Sequence, residues 1–185
     1  MDEPKQPLFF YDLGSPQCYL VAETIMATLP VVPEWEPVLG PEVCAPAPAL
    51  IDRGQIEDQA SALELQPIRW PVSWPPDTRQ AMLAATYAKQ IGRAVAFSLA
   101  AFRQTFAGGR DLSDENTVLI AGAACEMHPT ALRKGIELRS TQSALAEANR
   151  RARDAGVTEL PAIQIGTRVY RTVREATAAV EGALR

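Results

Sequence analysis

The chain has 185 residues, of which 47% are hydrophobic and 22% are charged. This length suits one domain with its own core, and the composition excludes a disordered, collagen-like or coiled-coil chain. The formal net charge of −4 offers no basic surface, so we expect neither nucleic acid nor an anionic membrane as a partner. Acidic residues and prolines stand at the N-terminus instead of a signal-peptide pattern, and no apolar run is long enough to span a membrane, which predicts a cytoplasmic protein.

Three cysteines and one histidine are the candidates for metal binding or redox chemistry. An odd number of cysteines without a C-x-x-C pair argues against a disulfide framework and against a metal site. Cys125 and His128 are spaced to share a helix face, but two groups are too few for a metal, and Pro129 indicates that a helix ends there. Cys44 lies in a proline-rich stretch and carries no functional signal.

The first 39 residues predict a β-α-β unit. The apolar run 8–13 is typical of a buried strand, and Ser15 and Pro16 suit the N-cap and the first position of a helix that ends by Pro30. Residues 31–39 alternate like a second strand, and Pro33 and Pro37 within them favour an edge position or a bulge.

From residue 40 onward the pattern changes to mostly helical segments. Asp77 is the expected N-cap of a helix over 78–91, a second helix ends at Gly108, and a third begins at Ser113. The proline-dense stretch 70–76 predicts an ordered loop that is neither helix nor strand.

The C-terminal part reads as α-β-β-α. An alanine-rich helix follows Ser140 and is expected to end at Gly156, and the segments 162–165 and 168–171 predict a hairpin. Residues 172–175 have the form of a capping box, which predicts a last helix.

Four stretches in this order resemble one known group of proteins. They are Phe-Tyr-Asp-Leu-Gly-Ser-Pro at 10–16, Trp-Glu-Pro-Val-Leu-Gly at 35–40, the Trp-Pro loop at 70–76, and Glu-Leu-Pro-Ala at 159–162. Together they resemble the DsbA-like superfamily, and within it the branch of 2-hydroxychromene-2-carboxylate isomerases and kappa-class glutathione transferases.

The resemblance covers essentially the whole chain. It implies an α/β protein with a thioredoxin fold, as a single domain over 1–185. Residues 8–39 and 140–185 would form the thioredoxin core, and residues 40–139 a large, mainly helical insertion. A homodimer is also implied, because the family commonly dimerises.

Ser15 opens the tetrad Ser-Pro-Gln-Cys, whose first position is cysteine in redox members of the family and serine in the isomerases and transferases. The resemblance implies that Ser15 donates a hydrogen bond to the sulfur of a bound cofactor, glutathione or another low-molecular-weight thiol. Gly14 and Pro16 would contact the cofactor, as would Leu160 and Pro161 at the family's cis-proline position. From its residue type alone, Ser15 is simply an N-cap.

Cys18 ends the tetrad at the place of a second redox cysteine. Disulfide exchange needs a partner sulfur that Ser15 cannot supply, so Cys18 is either a small buried hydrophobe or a single reactive thiol. Leu160-Pro161 has its own alternative, an ordinary trans proline that opens a strand.

Trp70 and Trp74 are the candidates for substrate binding. By resemblance they would line a flat apolar site facing Ser15, and otherwise they cap the core beneath a loop. Arg79 could pair with an anionic ligand or be solvated. In the family, a Gly-x-Asp-Arg motif holds the γ-glutamyl end of glutathione, whereas residues 171–174 here read Arg-Thr-Val-Arg and lack the acidic residue.

These observations predict a thiol-dependent isomerase or transferase that acts on a small apolar or aromatic electrophile. The alternatives are a relative of the DsbA-like protein disulfide oxidoreductases and a binding protein of the same fold without catalysis.

Overall fold

A four-stranded sheet in the order β2-β1-β3-β4 forms the centre of the computed structural model, which describes residues 6–44 and 51–183. Strand β1 runs parallel to β2 and antiparallel to β3, and β3 and β4 form the predicted hairpin. The edge position expected for β2 is confirmed. Pro46 and Pro48 of the proline-rich stretch lie outside the described residues. The strands are β1 (Leu8–Tyr11), β2 (Glu34–Pro37), β3 (Ala162–Ile165) and β4 (Arg168–Tyr170).

Helices surround this sheet, and seven of those in the described ranges lie between β2 and β3, which confirms the thioredoxin fold with a large helical insertion. No helix in the described part of the chain is both long and apolar enough to cross a membrane. The helices are α1 (Pro16–Thr28), α2 (Gly40–Val43), α3 (Arg53–Ala62), α4 (Arg79–Gln90), α5 (Ala94–Phe106), α6 (Glu115–Ala124), α7 (Pro129–Glu137), α8 (Arg139–Asp154) and α9 (Val173–Ala183).

Aromatic side chains join the helical insertion to the sheet. Tyr11 of β1 lies 6.0 Å, between ring centroids, from Phe102 of α5, and Tyr19 of α1 stacks on Phe106 at 5.4 Å. All four side chains are almost fully buried. Helix α5 therefore packs against both β1 and α1, and it fixes the insertion relative to the start of α1.

Two helices begin one or two residues later than expected, at Arg79 and at Glu115. Thr78 is the N-cap position of α4 but makes no side-chain cap bond, and the expected residue Asp77 accepts a hydrogen bond from the Arg79 N–H at 3.0 Å. Asp114, not Ser113, caps α6 by accepting a hydrogen bond from a backbone N–H, while the Ser113 hydroxyl accepts one from the Asp77 N–H. In both cases the expected residue still bonds to a nearby backbone group, so residue type alone does not tell the two positions apart.

The expectation for Pro129 was also wrong. It begins α7 instead of ending α6, because His128 is the N-cap and its Nδ1 accepts a hydrogen bond from the Thr130 N–H at 3.2 Å. Cys125 is the C-cap of α6. The two residues thus belong to the ends of different helices and do not share a helix face.

A buried hydrogen bond between two hydroxyls ties the sheet to α5 and supports a stability prediction. Tyr11 Oη lies 2.6 Å from Ser98 Oγ, and both residues are fully buried. Replacing Tyr11 by Phe leaves the Ser98 hydroxyl without its partner, so we expect the free energy of unfolding to fall by about 1–3 kcal/mol. Urea denaturation measures it, with Tyr170→Phe as the control.

The double variant Tyr11→Phe/Ser98→Ala decides whether this loss reflects the bond itself. Removing both polar partners abolishes the unsatisfied group, so the double variant should lose less than the sum of the two single variants. Strict additivity would show that the two hydroxyls are not energetically coupled.

Candidate functional site

The candidate site lies beyond the carboxyl end of β1, where the chain turns into α1. Ser15 is half-buried there, and its Oγ accepts a hydrogen bond from the Cys18 N–H at 3.2 Å. The N-cap role expected from its residue type is thus confirmed. The Ser15 N–H in turn donates to the Asp12 carbonyl at 3.1 Å, which closes the turn.

Capping leaves the hydroxyl proton of Ser15 available. A serine hydroxyl has one proton to donate and two lone pairs, and the cap uses only a lone pair. The proton has a long contact of 3.3 Å with Gln17 Oε1, a partly exposed group that an incoming acceptor can displace. The N-cap and the orientation of a bound thiol are therefore compatible roles for one side chain.

Cys18 lies below Ser15 and is shielded from solvent, with no exposed surface. Burial raises the pKa of its thiol to about 12. The nearby charges of Asp12 and Cys44 also raise this pKa, whereas a hydrogen bond from Ser15 lowers it. At neutral pH almost no thiolate exists at such a pKa. The geometry favours the interpretation of Cys18 as a small buried hydrophobe.

Asp12 joins three segments of the site, and its role was missed at the level of sequence. Its buried carboxylate accepts hydrogen bonds from the Gly14 N–H at 2.8 Å, the Gly40 N–H at 2.7 Å and the Thr78 hydroxyl at 3.1 Å. Burial raises the pKa of Asp12, and these three donors oppose that rise. The available signal was an acidic residue at the end of an otherwise apolar strand, directly before a turn.

Two glycines allow the segments to approach this carboxylate closely. A Cβ at Gly14 would lie 2.7 Å from Thr78 Cγ2, and a Cβ at Gly40 would lie 3.2 Å from Asp12 Oδ2. Pro76 is also adjacent, at 3.4 Å from the same position on Gly14. The end of the Trp-Pro loop therefore rests directly on the turn that carries Ser15.

Leu160-Pro161 forms a cis peptide, as predicted. In the antiparallel register of β1 and β3, Phe10 faces Ala162, and continuing that register by two residues brings Leu160 opposite Asp12. The register therefore directs the cis-proline loop toward the same end of the sheet as the Ser15 turn.

Cys44 reaches this site although the sequence indicated no role for it. It is the C-cap of α2 and is half-buried. Burial and the Asp12 carboxylate raise the pKa of its thiol, while a hydrogen bond from the Leu160 N–H lowers it. No motif marks Cys44, because its neighbours come from segments that are distant along the chain.

Trp70 is held to the core by several contacts. Its ring meets Phe106 edge-on at 6.1 Å, its Nε1–H donates to Glu57 at 2.7 Å, and the Arg53 guanidinium lies 4.8 Å above it. Trp74 packs edge-on against Trp70 at 5.2 Å. These contacts fit the core-capping alternative, and Pro76 provides the contact of this loop with the Ser15 turn.

Arg79 has a partner within the protein. Its guanidinium forms an ion pair with Glu42 of α2 at 2.6 Å, and the second carboxylate oxygen of Glu42 accepts from Asn149 at 2.8 Å. Arg79 is therefore an exposed helix residue that is paired within the protein. Within 6–44 and 51–183, no cluster of three or more metal-ligating side chains occurs.

Comparison with known proteins agrees with this architecture. A family model described as the DSBA-like thioredoxin domain matches residues 8–177. A 2-hydroxychromene-2-carboxylate isomerase structure has a TM-score of 0.81 at 14% identity, and the match covers 96% of this chain and 93% of that one. No curated protein matches the chain.

Two oxidoreductases are similar as well. The cytosolic disulfide reductase DsbM from Pseudomonas aeruginosa, with GSH, has a TM-score of 0.66 at 17% identity, with 97% of this chain and 99% of that chain covered. A thioredoxin-like oxidoreductase from Silicibacter pomeroyi has a TM-score of 0.63 at 17% identity, with 96% and 85% covered. At these identities the likeness concerns the fold.

The contacts of Asp12 lead to a prediction for Asp12→Asn. The amide nitrogen has no lone pair to offer, so one of the two backbone N–H groups that now face the carboxylate loses its acceptor. We expect the free energy of unfolding to fall by about 1–3 kcal/mol, measured by urea denaturation. Thr78→Val, which removes only the hydroxyl donor, is the matched control and should cost less.

An Asp12→Asn protein as stable as the wild type would show that this carboxylate does not hold the three segments together. The comparison with Thr78→Val then shows whether the backbone donors or the hydroxyl carry the effect.

Proposed function

The chain belongs to the DSBA-like thioredoxin domain family, and on that premise we propose that it is a thiol-dependent isomerase or transferase. Its substrate would be a small apolar or aromatic electrophile. The observation that carries the proposal is the half-buried Ser15 hydroxyl at the N-terminus of α1, whose proton is not needed for capping. The isomerase with a TM-score of 0.81 is consistent with this activity, although the likeness itself concerns the fold.

The residues around Ser15 fit the sulfur of a thiol cofactor. When bound, the cofactor supplies the nucleophilic sulfur. The N-terminal end of α1 offers a partial positive charge that favours a thiolate, and the Ser15 O–H is placed to donate to it. We propose that Gly14 and Pro16 flank the sulfur, and that the Leu160–Pro161 loop faces it from the other side.

The part of the site that would select glutathione is different in this chain. Arg171 forms an ion pair with Glu159, and the Thr172 hydroxyl caps α9 by accepting from the Glu175 N–H at 3.2 Å. Glu159, the acidic side chain of this pair, is already bound to Arg171, and no acidic residue stands at 171–174 where the family motif has one. The proposal therefore covers glutathione or another low-molecular-weight thiol.

We assign the substrate wall to the loop that carries Trp70 and Trp74. This part of the proposal rests on Pro76, which links the loop to the Ser15 turn through its contact with Gly14, while the contacts of the two rings themselves fit the core-capping alternative. Flat apolar surfaces of this kind suit an aromatic electrophile.

A disulfide oxidoreductase is the second candidate, because Cys18 keeps the second position of the redox tetrad and contacts Ser15. The burial of Cys18 and its raised pKa oppose this function, since exchange requires a thiolate that can be reached. A binding protein without catalysis would keep the same fold and bind no thiol at Ser15.

The first test concerns Ser15 and a panel of cellular thiols. Calorimetry identifies the thiol that binds, and 2-hydroxychromene-2-carboxylate serves as the probe substrate. Ser15→Ala should lower turnover by roughly 100-fold, because it removes a hydrogen bond aimed at developing charge. Ser143→Ala, an exposed serine on α8, should leave turnover unchanged.

Loss of the helix cap must be separated from loss of the donor. Ser15→Asp retains an acceptor for the cap but has no proton for a thiolate, so we expect native stability together with low turnover. If Ser15→Ala is fully active, Ser15 is only an N-cap. If no thiol binds, the non-catalytic alternative holds.

The second test rebuilds a redox tetrad with Ser15→Cys. The new sulfur would lie at the start of α1, one turn from Cys18, and the helix end should lower its pKa below about 8.5. We expect a disulfide between residues 15 and 18 under mild oxidation and measurable insulin reduction, which the native chain should lack. Peptide mapping and thiol counting detect the bond.

The double variant Ser15→Cys/Cys18→Ala is the matched control, because it has the new thiol but no partner for it. Should both sulfurs of the Ser15→Cys protein stay reduced under an oxidant that closes other C-x-x-C pairs, Ser15 does not occupy the redox position of the fold.

A further inference from the structure

Met82 of α4 contacts the backbone directly before the Ser15 turn. Its side chain is fully buried, and its Sδ accepts a hydrogen bond from the Leu13 N–H at 3.3 Å. Leu13 is also fully buried and follows the end of β1 at Tyr11. A buried N–H without an acceptor is costly, so the sulfur satisfies a group that water does not reach.

The peptide unit between Asp12 and Leu13 connects this sulfur to Ser15. Its N–H donates to Met82 Sδ, and its carbonyl, that of Asp12, accepts from the Ser15 N–H at 3.1 Å. A peptide unit is planar and rigid, so a bond that holds its N–H also sets the direction of its carbonyl. Met82 is therefore linked to the backbone of Ser15 through one rigid group.

Helix α4 holds this part of the chain at two points that lie one turn apart. The Thr78 hydroxyl donates to the Asp12 carboxylate at 3.1 Å, and the Met82 N–H donates to the Thr78 carbonyl at 2.8 Å. Residues four apart lie on the same helix face, so both side chains point toward the same segment. Thr78 holds the side chain of Asp12, whereas Met82 holds the peptide unit that follows it.

A thioether is a weak acceptor for a backbone N–H, and it is an unusual choice for this position. Leucine has a similar volume and would fill the same space at little cost in packing. Packing alone therefore does not require methionine at position 82, whereas the Leu13 N–H requires an acceptor there.

We propose that Met82 is a positioning residue of the proposed reaction, which directs the Ser15 hydroxyl toward the thiol through the Asp12–Leu13 peptide. The inference rests on the proposed function, because Ser15 is the group that would bind the cofactor sulfur. Met82 is fully buried, so it acts through Ser15 and not on the reactants. A rotated peptide unit would turn the Ser15 backbone and bend the hydrogen bond from its hydroxyl, which weakens steeply with angle.

Amide hydrogen exchange, measured by NMR, tests the link between Met82 and the turn without any assay of activity. Met82→Leu keeps the side-chain volume and removes the acceptor. We expect the Leu13 and Ser15 amides to exchange several-fold faster in this variant, while the amides of β3 keep their rates. Met127→Leu, the same change at a buried methionine between α6 and α7, should alter neither rate. Unchanged exchange at Leu13 and Ser15 in Met82→Leu would overturn the inference.

A double-variant cycle with Ser15→Ala tests the link between the turn and the reaction. Turnover of 2-hydroxychromene-2-carboxylate is measured with glutathione, cysteine or coenzyme A as the thiol. We expect Met82→Leu to lower kcat roughly 10-fold, less than complete loss of the Ser15 donor, and to leave the KM of this substrate unchanged. In the Ser15→Ala protein, Met82→Leu should have no further effect on kcat, because Met82 acts through Ser15. Met127→Leu should leave kcat unchanged in both backgrounds.

Norleucine at position 82 separates the effect of the sulfur from that of side-chain shape. It replaces Sδ by a methylene group and is incorporated biosynthetically into a Met26→Leu/Met127→Leu protein. The exchange rates and kcat of this protein should match those of Met82→Leu. Wild-type values for both would overturn the inference.

Two kinetic results would overturn the inference and leave the proposed function intact. They are a wild-type kcat for Met82→Leu, and losses that multiply in the Met82→Leu/Ser15→Ala protein. Full activity of Ser15→Ala, or no turnover by the wild type with any of the three thiols, would reject the proposed function and the inference together. These last two measurements do not involve Met82, so the two kinds of failure are distinguishable.

Discussion

The buried carboxylate of Asp12 is the interaction on which the rest of the site depends. It receives two backbone N–H groups and one hydroxyl from segments that begin at residues 14, 40 and 78. An ionised group in the interior is costly unless donors surround it, and here the donors are the starts of three different structural units. These hydrogen bonds offset the free-energy cost of burying the Asp12 carboxylate. The same bonds hold the β1–α1 turn, α2 and α4 together at this carboxylate.

Ser15 shows how a single hydroxyl can serve both folding and chemistry. Its oxygen completes the first turn of α1, so the residue would be retained for stability even without a ligand. Its proton has a long contact of 3.3 Å with Gln17. A cysteine at this position would lack a strong acceptor for the cap, so the serine favours a well-formed helix end over an ionisable sulfur.

Local patterns predicted much of the fold and part of the site. The β3–β4 hairpin, the start of α1 and the cis bond at Pro161 each depend on neighbouring residues or on a family motif, and all three are confirmed. The bond from the Thr78 hydroxyl to Asp12 was missed because its two partners are distant along the chain. Cys44 escaped notice for the same physical reason, since its neighbours are assembled by the parallel and antiparallel register around β1.

The close packing at Gly14 joins the Trp-Pro loop to the turn that carries Ser15. A Cβ there would lie 2.7 Å from Thr78 and 3.4 Å from Pro76, so the loop that carries the tryptophans and the turn that carries Ser15 share one contact surface. A substitution that reshapes the loop for a larger electrophile would press on the turn and alter the direction of the hydroxyl. If the proposed function holds, substrate range and thiol orientation would be coupled through this contact.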